Sequence, residues 1–234
     1  MTTYIWRYLD LSKFVHLIST KTLHFSRIDQ FTDKFEGSYP RKNLIDWQNK
    51  YPEVGDFKHW RKFACVSCWY KSEHESASMW ELYTQNNQGL SIRSTTDRLK
   101  NSVKDTGVFI EKIKYIDFLR GKADILTPNQ AFLYKRIEFK CEDEVRAVLF
   151  KLPPNAGFDN GFPIFGSVEK NDGFPENGID IPVDCNNLID KIVLSPYSKK
   201  WFKEVVKNLL MRFTFKSIEI IDSELSSDPI YPKQ

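Results

Sequence analysis

Hydrophobic and polar residues recur with two different periods along this chain, and the two periods predict a mixture of helices and strands. Phe14, Leu17 and Ile18 recur at helical spacing, which predicts a helix capped by Asp10 or Ser12. Shorter stretches of apolar or alternating residues predict strands. The predicted strands cover residues 4–9, 22–26, 63–70, 90–93, 108–115, 141–150, 179–183, 189–195 and 215–221, and the other predicted helices cover 43–50, 79–85, 97–103, 128–138 and 200–213.

The order of these elements shows no regular alternation of strand and helix and no internal repeat. It therefore predicts one α+β domain over residues 1–234, with a mixed or antiparallel sheet and flanking helices. The chain is long enough to bury a substantial core. Residues 153–177 are rich in Gly, Pro and Asn, which predicts a long loop or hairpin.

A capping box marks the start of one predicted helix. Ser78 and Glu81 have the spacing at which a serine side chain and a carboxylate satisfy free backbone donors. This pattern predicts a helix over residues 79–85 that ends before Gly89, a residue typical of helix ends.

The predicted strand 141–150 begins with charged residues and ends with apolar ones. At a period of two, Glu142, Glu144 and Arg146 lie on the same face. Two carboxylates and a guanidinium are costly to bury, and strands commonly carry Val, Ile or Thr instead. This strand is therefore the first candidate for a functional site.

Composition and charge narrow the class of protein. Hydrophobic residues make up 41% and charged residues 28%, which is a globular profile, and the formal charge is only +3. Basic residues are scattered among acidic ones, so nucleic acid is not indicated as a partner, although a basic patch formed on folding leaves it open. The N-terminus lacks a signal-peptide pattern and the chain lacks an apolar stretch of membrane-spanning length. We expect a cytoplasmic protein without a membrane partner.

Metal chemistry finds little support in the sequence. Cys65 and Cys68 have the spacing of half a zinc site or of a redox pair, but no second such pair completes a ligand set. They lie in a predicted buried strand, where free thiols are common. The standard phosphate-binding, dinucleotide-binding and zinc-protease motifs are absent, and no metal cofactor is expected.

Several segments spread over most of the chain form a recognisable set. They are 4–8, 23–26, the loop 31–37, 79–83 with Gly89, and Lys135 with 142–146. In this order they resemble the bacterial family known as domain of unknown function 2971. Two positions depart from that family, with Lys34 where a proline is usual and Phe139 nearest to the usual tryptophan. Because lysine does not fix φ as proline does, the loop that contains Lys34 is expected to be less rigid.

Arg7 lies on the first predicted strand, Ser26 at the end of the second, and Glu142 and Glu144 on a later strand. This order of an arginine, a serine and a Glu-x-Glu resembles, more loosely, the pattern of ADP-ribosyltransferases. The resemblance implies that NAD is a substrate, with Glu144 stabilising the ribosyl cation and Glu142 orienting or deprotonating an unknown acceptor.

The same resemblance implies how the dinucleotide is bound. Arg7 would bind the phosphates and Ser26 would also contact the cofactor, while Tyr8, Phe25, Trp80 or Tyr83 would flank the nicotinamide ring. Each residue also has a structural interpretation. Arg7 could pair with a carboxylate of a neighbouring strand, Ser26 could stabilise a turn, and Trp80 and Tyr83 have the spacing of core residues.

Two other functions stay open. One is a non-catalytic ligand-binding or sensor domain of a bacterial defence system. The other is a metal-dependent nuclease built from Asp33, Glu142, Glu144 and Lys135. Asp33 and Glu36 could also bind a cation or substrate by themselves, although an Asx turn at Asp33 is the commoner arrangement.

Overall fold

The computed structural model describes residues 3–50, 57–84, 88–105, 107–125, 127–152, 156–159, 162–165, 173–215 and 217–229. The strands are β1 (Tyr4–Asp10), β2 (Thr22–Arg27), β3 (Ala64–Lys71), β4 (Gly89–Thr95), β5 (Val108–Lys112), β6 (Lys114–Ile116), β7 (Tyr134–Arg136), β8 (Glu144–Phe150), β9 (Ala156–Asp159), β10 (Phe162–Phe165), β11 (Ile179–Pro182), β12 (Lys191–Leu194) and β13 (Glu219–Asp222). The α-helices are α1 (Leu11–Thr20), α2 (Arg41–Lys50), α3 (Ala77–Tyr83), α4 (Thr96–Ser102), α5 (Cys185–Leu188) and α6 (Lys200–Arg212), and short 3₁₀ helices cover Ile28–Gln30, Phe57–Phe63, Pro128–Leu133, Ile137–Glu142 and Glu224–Ser226.

The predicted α+β class is confirmed, because helices accompany strands that pair mostly in the antiparallel direction. The chain divides into two compact units. The extent of a single domain over residues 1–234 stays a prediction. The first unit consists of Met1–Leu23, Trp69–Lys104 and Pro182–Gln234, and the second of His24–Cys68 and Asp105–Ile181.

The first unit is built around β1. This strand pairs antiparallel with the end of β3 on one side and with β4 on the other, and β4 pairs antiparallel with β12. A parallel pair of β12 and β13 completes the order. Trp6, Tyr8, Met79, Trp80 and Val193 form a buried cluster against these strands.

Helix α1 confirms the prediction from the hydrophobic period. Phe14, Leu17 and Ile18 are its buried residues. Asp10 is the N-cap, and its side chain accepts a hydrogen bond of 2.8 Å from the backbone N–H of Lys13. One apolar face and one capping carboxylate therefore suffice to position this helix.

Helix α3 lies two residues earlier in the chain than predicted. Its N-cap is Ser76, whose hydroxyl accepts from the backbone N–H of Met79, so the predicted capping box of Ser78 and Glu81 is wrong. The helix ends at Tyr83, and Gly89 belongs to β4. A Cβ at Gly89 would overlap the Thr84 side chain, so close packing explains this glycine.

In the second unit, β3 pairs with β2 and with β8, and β8 pairs antiparallel with β5. Ile28, Ala64, Val66, Phe132 and Val148 form a buried cluster along these strands. This core therefore supports the first residues of β8, where the charged side chains lie.

The predicted helix over 128–138 and the predicted strand over 141–150 are both wrong in their bounds. A 3₁₀ helix over Pro128–Leu133 is followed by β7, which pairs in parallel with β6. A second 3₁₀ helix covers Ile137–Glu142, and β8 starts only at Glu144. The parallel pairing with β6 is a long-range contact, which overrides the local helical pattern.

The segment predicted as a loop or hairpin over 153–177 contains the antiparallel pair of β9 and β10. Residues 153–155, 160–161 and 166–172 lie outside the described residues. Just after this segment, Gly178 has φ +83°, and a Cβ there would overlap the backbone carbonyl of Phe25. Among the described helices, none is long and apolar enough to cross a membrane.

Candidate functional site

A cluster of five charged residues is buried in the second unit, and we call it the charge cluster. Its side chains come from the loop after β2, from β7, from the 3₁₀ helix before β8 and from β8 itself. Buried charges are stable only when they are paired and hydrogen-bonded. The members are Glu36, Lys135, Glu142, Glu144 and Arg146.

Arg146 forms the centre of the charge cluster, and its side chain is fully buried. Its Nε donates to Glu144 Oε1 at 2.6 Å and its Nη2 donates to Glu144 Oε2 at 3.0 Å. Its Nη1 donates to Glu36 Oε2 at 3.1 Å and to the backbone oxygen of Phe132 at 2.9 Å. The guanidinium thus holds Glu144 in a bidentate pair, which fixes that carboxylate in place.

Lys135 contacts all three carboxylates of the charge cluster. Its Nζ lies 2.5 Å from Glu142 Oε2, 3.0 Å from Glu36 Oε1 and 3.4 Å from Glu144 Oε2. Burial alone would lower the pKa of Lys135, but the three carboxylates together raise it above its ordinary value. Lys135 is therefore a permanent cation that links the carboxylates.

The two glutamates of the Glu-x-Glu pattern have opposite environments. Burial acts to raise the pKa of Glu144, but Arg146 and Lys135 outweigh it and hold that pKa at about 2. Burial raises the pKa of Glu142 above its ordinary value, and Lys135 offsets this effect only in part. The Glu142 side chain is 15% exposed, whereas that of Glu144 is 3% exposed. Glu142 is thus the more exposed carboxylate of the two, and it is the one whose pKa is raised.

The backbone conformation at one residue separates the two glutamates. Asp143 has φ +27°, and it follows the 3₁₀ helix that ends at Glu142 and precedes the strand that begins at Glu144. The sequence predicted that the two glutamates share one strand face. This prediction is wrong, because only Glu144 lies on the strand. They still converge, because Lys135 contacts both.

Two further polar groups surround Glu144. The Tyr115 hydroxyl accepts a hydrogen bond of 2.8 Å from the backbone N–H of Glu144. The Cys68 thiol donates to the Glu144 carboxylate, and burial raises the pKa of that thiol. The Glu144 carboxylate therefore accepts from Arg146, Lys135 and Cys68, and the Glu144 backbone N–H donates to Tyr115.

Glu36 belongs to the charge cluster, and the sequence did not predict its burial there. It lies in the loop 31–37, is 2% exposed and pairs with Lys135 and Arg146. Asp33 accepts a hydrogen bond from the backbone N–H of Phe35, which confirms the predicted Asx turn. Asp33 also pairs with Arg136 at 2.9 Å. The loop thus supplies one acid for a turn and the other for the charge cluster.

Ser26 is the other predicted site residue in the second unit. It lies on β2, opposite Val66 of β3 in the antiparallel register, and its side chain is half-buried. The chain around Gly178 packs closely against the backbone of Phe25 and Ser26. Its predicted contact with the dinucleotide stays a prediction.

The remaining predicted site residues belong to the first unit, where two of them pack together. The rings of Tyr8 and Trp80 meet edge to face at 4.8 Å. The Tyr8 hydroxyl accepts from the backbone N–H of Ser76 at 2.8 Å, and Trp80 Nε1 donates to Glu75 Oε2 at 2.8 Å. Both aromatic side chains are buried, so in this structure they contribute to the core.

Arg7 and Tyr83 are more accessible. Arg7 is half-buried, and its guanidinium lies 5.7 Å from the centre of the Trp69 ring. Tyr83 is 49% exposed at the end of α3. The predicted roles of both residues in dinucleotide binding stay predictions.

The geometry of the charge cluster disfavours a cation site. Lys135 and Arg146 already occupy oxygens of all three carboxylates. In the described ranges, no group of His, Cys, Asp and Glu side chains is arranged to hold a metal ion. Cys65 is buried on β3, as predicted, and burial raises the pKa of its thiol to about 12.

Comparisons with known proteins gave likenesses only to solved structures. No protein-family model and no curated protein matches the sequence, so the resemblance to domain of unknown function 2971 stays a prediction. The chain is similar to Thermus sp. 2.9 DarT in complex with NAD+, with 11% identity, a TM-score of 0.45, and coverage of 97% of this chain and 98% of that one.

Two more structures of the same protein are similar to the chain. Thermus sp. 2.9 DarT in complex with ADP-ribosylated ssDNA has 10% identity and a TM-score of 0.42, covering 95% of this chain and 94% of that one. The complex with carba-NAD+ has 10% identity and a TM-score of 0.41, covering 95% and 96%. Because these scores are low, the function proposed below rests on the residues of this chain.

Proposed function

We propose that this protein is an NAD-using enzyme of bacterial defence or toxin type, which transfers ADP-ribose to an acceptor or hydrolyses the dinucleotide. One observation carries the proposal. Glu142 and Glu144 lie beside the same lysine, yet their environments shift their pKa values in opposite directions. A pair of carboxylates separated in this way is typical of sites that need one permanent charge and one proton-transfer group.

The reaction needs both properties. When the bond between nicotinamide and ribose breaks, its electron pair leaves with nicotinamide and the ribose carbon becomes positively charged. The acceptor or a water molecule then forms a new bond to that carbon and must lose a proton. A fixed negative charge stabilises the cation, and a base takes the proton.

Glu142 fits the role of the base, because it is partly exposed and its pKa is raised above the ordinary value. The sequence-based proposal gives the stabilisation of the ribosyl cation to Glu144. The bidentate pair with Arg146 and the burial of Glu144 favour an electrostatic effect at a distance over direct contact. Direct contact with the ribose is better suited to Glu142.

NAD is the proposed substrate, and the acceptor is an unidentified group that attacks the ribose carbon. We propose that Arg7 binds the phosphates, that Ser26 contacts the dinucleotide, and that Tyr8, Trp80 or Tyr83 flanks the nicotinamide ring. The structures similar to this chain contain NAD+, carba-NAD+ or ADP-ribosylated ssDNA, and these ligands are compatible with the proposal. We also propose that the protein is cytoplasmic.

A non-catalytic sensor or ligand-binding domain is the alternative with specific support. Two of the proposed ring-binding residues, Tyr8 and Trp80, are buried in a packed cluster. One observation speaks against this alternative, because a protein that binds a ligand without turning it over does not need two glutamates with pKa values shifted in opposite directions. The metal-dependent nuclease is less favoured, because Lys135 neutralises the acids that would hold the metal.

The test is nicotinamide release from NAD by the wild type and by three variants, Glu142→Gln, Glu144→Gln and Glu138→Gln. Glu138 is exposed on the same 3₁₀ helix as Glu142 and is the matched control. We expect release by the wild type and the control, and a loss of about 100-fold or more in Glu142→Gln.

The outcomes separate the proposals. If the wild type binds NAD without releasing nicotinamide, the sensor alternative replaces the enzyme. If it neither binds nor consumes NAD, the dinucleotide is the wrong ligand. If Glu144→Gln loses activity while Glu142→Gln retains it, Glu144 is the residue that acts on the ribose.

A further inference from the structure

The charge cluster contains three carboxylates and two cations, and this imbalance has a chemical consequence. When every member is ionised, one negative charge is in excess in a buried place. Taking up one proton removes the excess, because two carboxylates then face two cations. Burial strengthens this preference, since water screens the charges poorly there.

The proton belongs on Glu142 for geometric reasons. Glu144 receives two hydrogen bonds from Arg146 and a third from Lys135, and Glu36 receives one from Arg146 and forms an ion pair with Lys135. Among the residues that the structure describes, Lys135 alone pairs with the Glu142 carboxylate, which is the most exposed of the three. A proton therefore displaces the fewest favourable contacts at Glu142.

We propose that Glu36 and Lys135 are positioning residues that set, through their opposite charges, the pH at which Glu142 gains or loses its proton. Neither residue needs to contact the substrate. Lys135 favours the ionised form of Glu142 by direct contact at 2.5 Å. Glu36 disfavours it by occupying the same ammonium group at 3.0 Å.

Glu142 faces charged and titratable groups from every element that packs near it. Each of these groups is buried or half-buried, so their charges are felt over several ångströms. They are Glu36 from the loop 31–37, Lys135 from β7, Tyr115 from β6, and Glu144 and Arg146 from β8, with the Cys68 thiol of β3 behind Glu144.

The experiment is a ¹³C NMR titration of the side-chain carboxyl groups in the full chain, with Glu142→Gln used to assign the Glu142 signal. In Glu36→Gln we expect the midpoint of that signal to fall by about 1 pH unit, because one competing negative charge is gone. In Lys135→Met we expect it to rise by about 1 pH unit, because the contacting cation is gone.

A double variant protects the test against a failure of Lys135→Met to fold. Glu36→Gln with Lys135→Met removes one charge of each sign, so the excess of one negative charge is kept and the midpoint should return toward the wild-type value. Glu138→Gln, an exposed carboxylate nearby in sequence, should leave the midpoint unchanged. A midpoint that is unmoved or raised in Glu36→Gln overturns the inference.

The inference rests on the proposed function only in giving Glu142 a catalytic task. The NMR midpoint is measured without NAD, so it can succeed while nicotinamide release fails. If both hold, the acidic limb of the pH profile for nicotinamide release moves down in Glu36→Gln, in step with the NMR midpoint. A purely structural role for Glu36 would lower activity without moving that limb.

Discussion

Replacing Glu144 by glutamine removes the carboxylate that the structure ionises most strongly. Arg146 and Lys135 hold its pKa at about 2, compared with an ordinary value of 4.5. Because the pKa is lower in the folded chain than in the unfolded chain, the ionised form stabilises the fold above about pH 4.5. That stabilisation is lost as the pH falls through about 2.

The size of the effect follows from the shift. At 1.36 kcal/mol for each pKa unit, ionised Glu144 contributes about 3 kcal/mol to the free energy of unfolding at pH 7. At pH 3 the same linkage leaves only about 1 kcal/mol. We therefore expect Glu144→Gln to be less stable than the wild type by about 3 kcal/mol at pH 7, with a difference that shrinks on acidification.

Urea unfolding followed by tryptophan fluorescence measures this difference, since the chain contains six tryptophans. Glu138→Gln is the control and should stay within about 0.5 kcal/mol of the wild type at both pH values. Glu142→Gln should be at least as stable as the wild type at pH 7, because the Glu142 pKa is raised and its ionised form therefore lowers the free energy of unfolding. A deficit in Glu144→Gln that is equal at pH 7 and pH 3 would refute the electrostatic explanation.

Three further perturbations test other parts of the structure. Arg7→Met should weaken NAD binding about tenfold in calorimetry if Arg7 binds the phosphates, and unchanged affinity would contradict that role. Gly178→Ala should lower the free energy of unfolding by about 1–3 kcal/mol in urea titrations, because φ is +83° and the new Cβ would overlap the Phe25 carbonyl; a neutral result would mean that the loop relaxes. Cys141 is exposed, so a thiol reagent should modify it first, and Cys141→Ser should abolish the fast phase.

Much of the fold could be predicted from local patterns. Helix α1 was predicted with its cap and its buried face, because the apolar period and Asp10 are both local signals. Residues 128–138 show why other elements were predicted wrongly. Tyr134–Arg136 is extended because it pairs with β6, and a long-range partner leaves no trace in the local sequence.

The candidate site could be predicted in part. Glu142, Glu144 and Arg146 were found because charges in an apolar strand are unusual, and in the structure Arg146 pairs with Glu144. Glu36 was predicted only as a loop acid that could bind a cation or substrate, since nothing in the loop sequence indicates burial against Arg146. The low pKa of Glu144 depends on how close Arg146 and Lys135 lie to it in the folded chain. The period of a strand gives no information about these distances.

The charge cluster also constrains how this protein can evolve. Losing Lys135 or Arg146 raises the excess of buried negative charge from one to two, whereas losing a base together with an acid keeps the excess at one. Replacements of Lys135 or Arg146 by a neutral residue should therefore be rare among homologous chains unless Glu36 or Glu144 is replaced as well. In an alignment of such chains, these positions should covary as a set, with Glu142 following selection on chemistry rather than on stability.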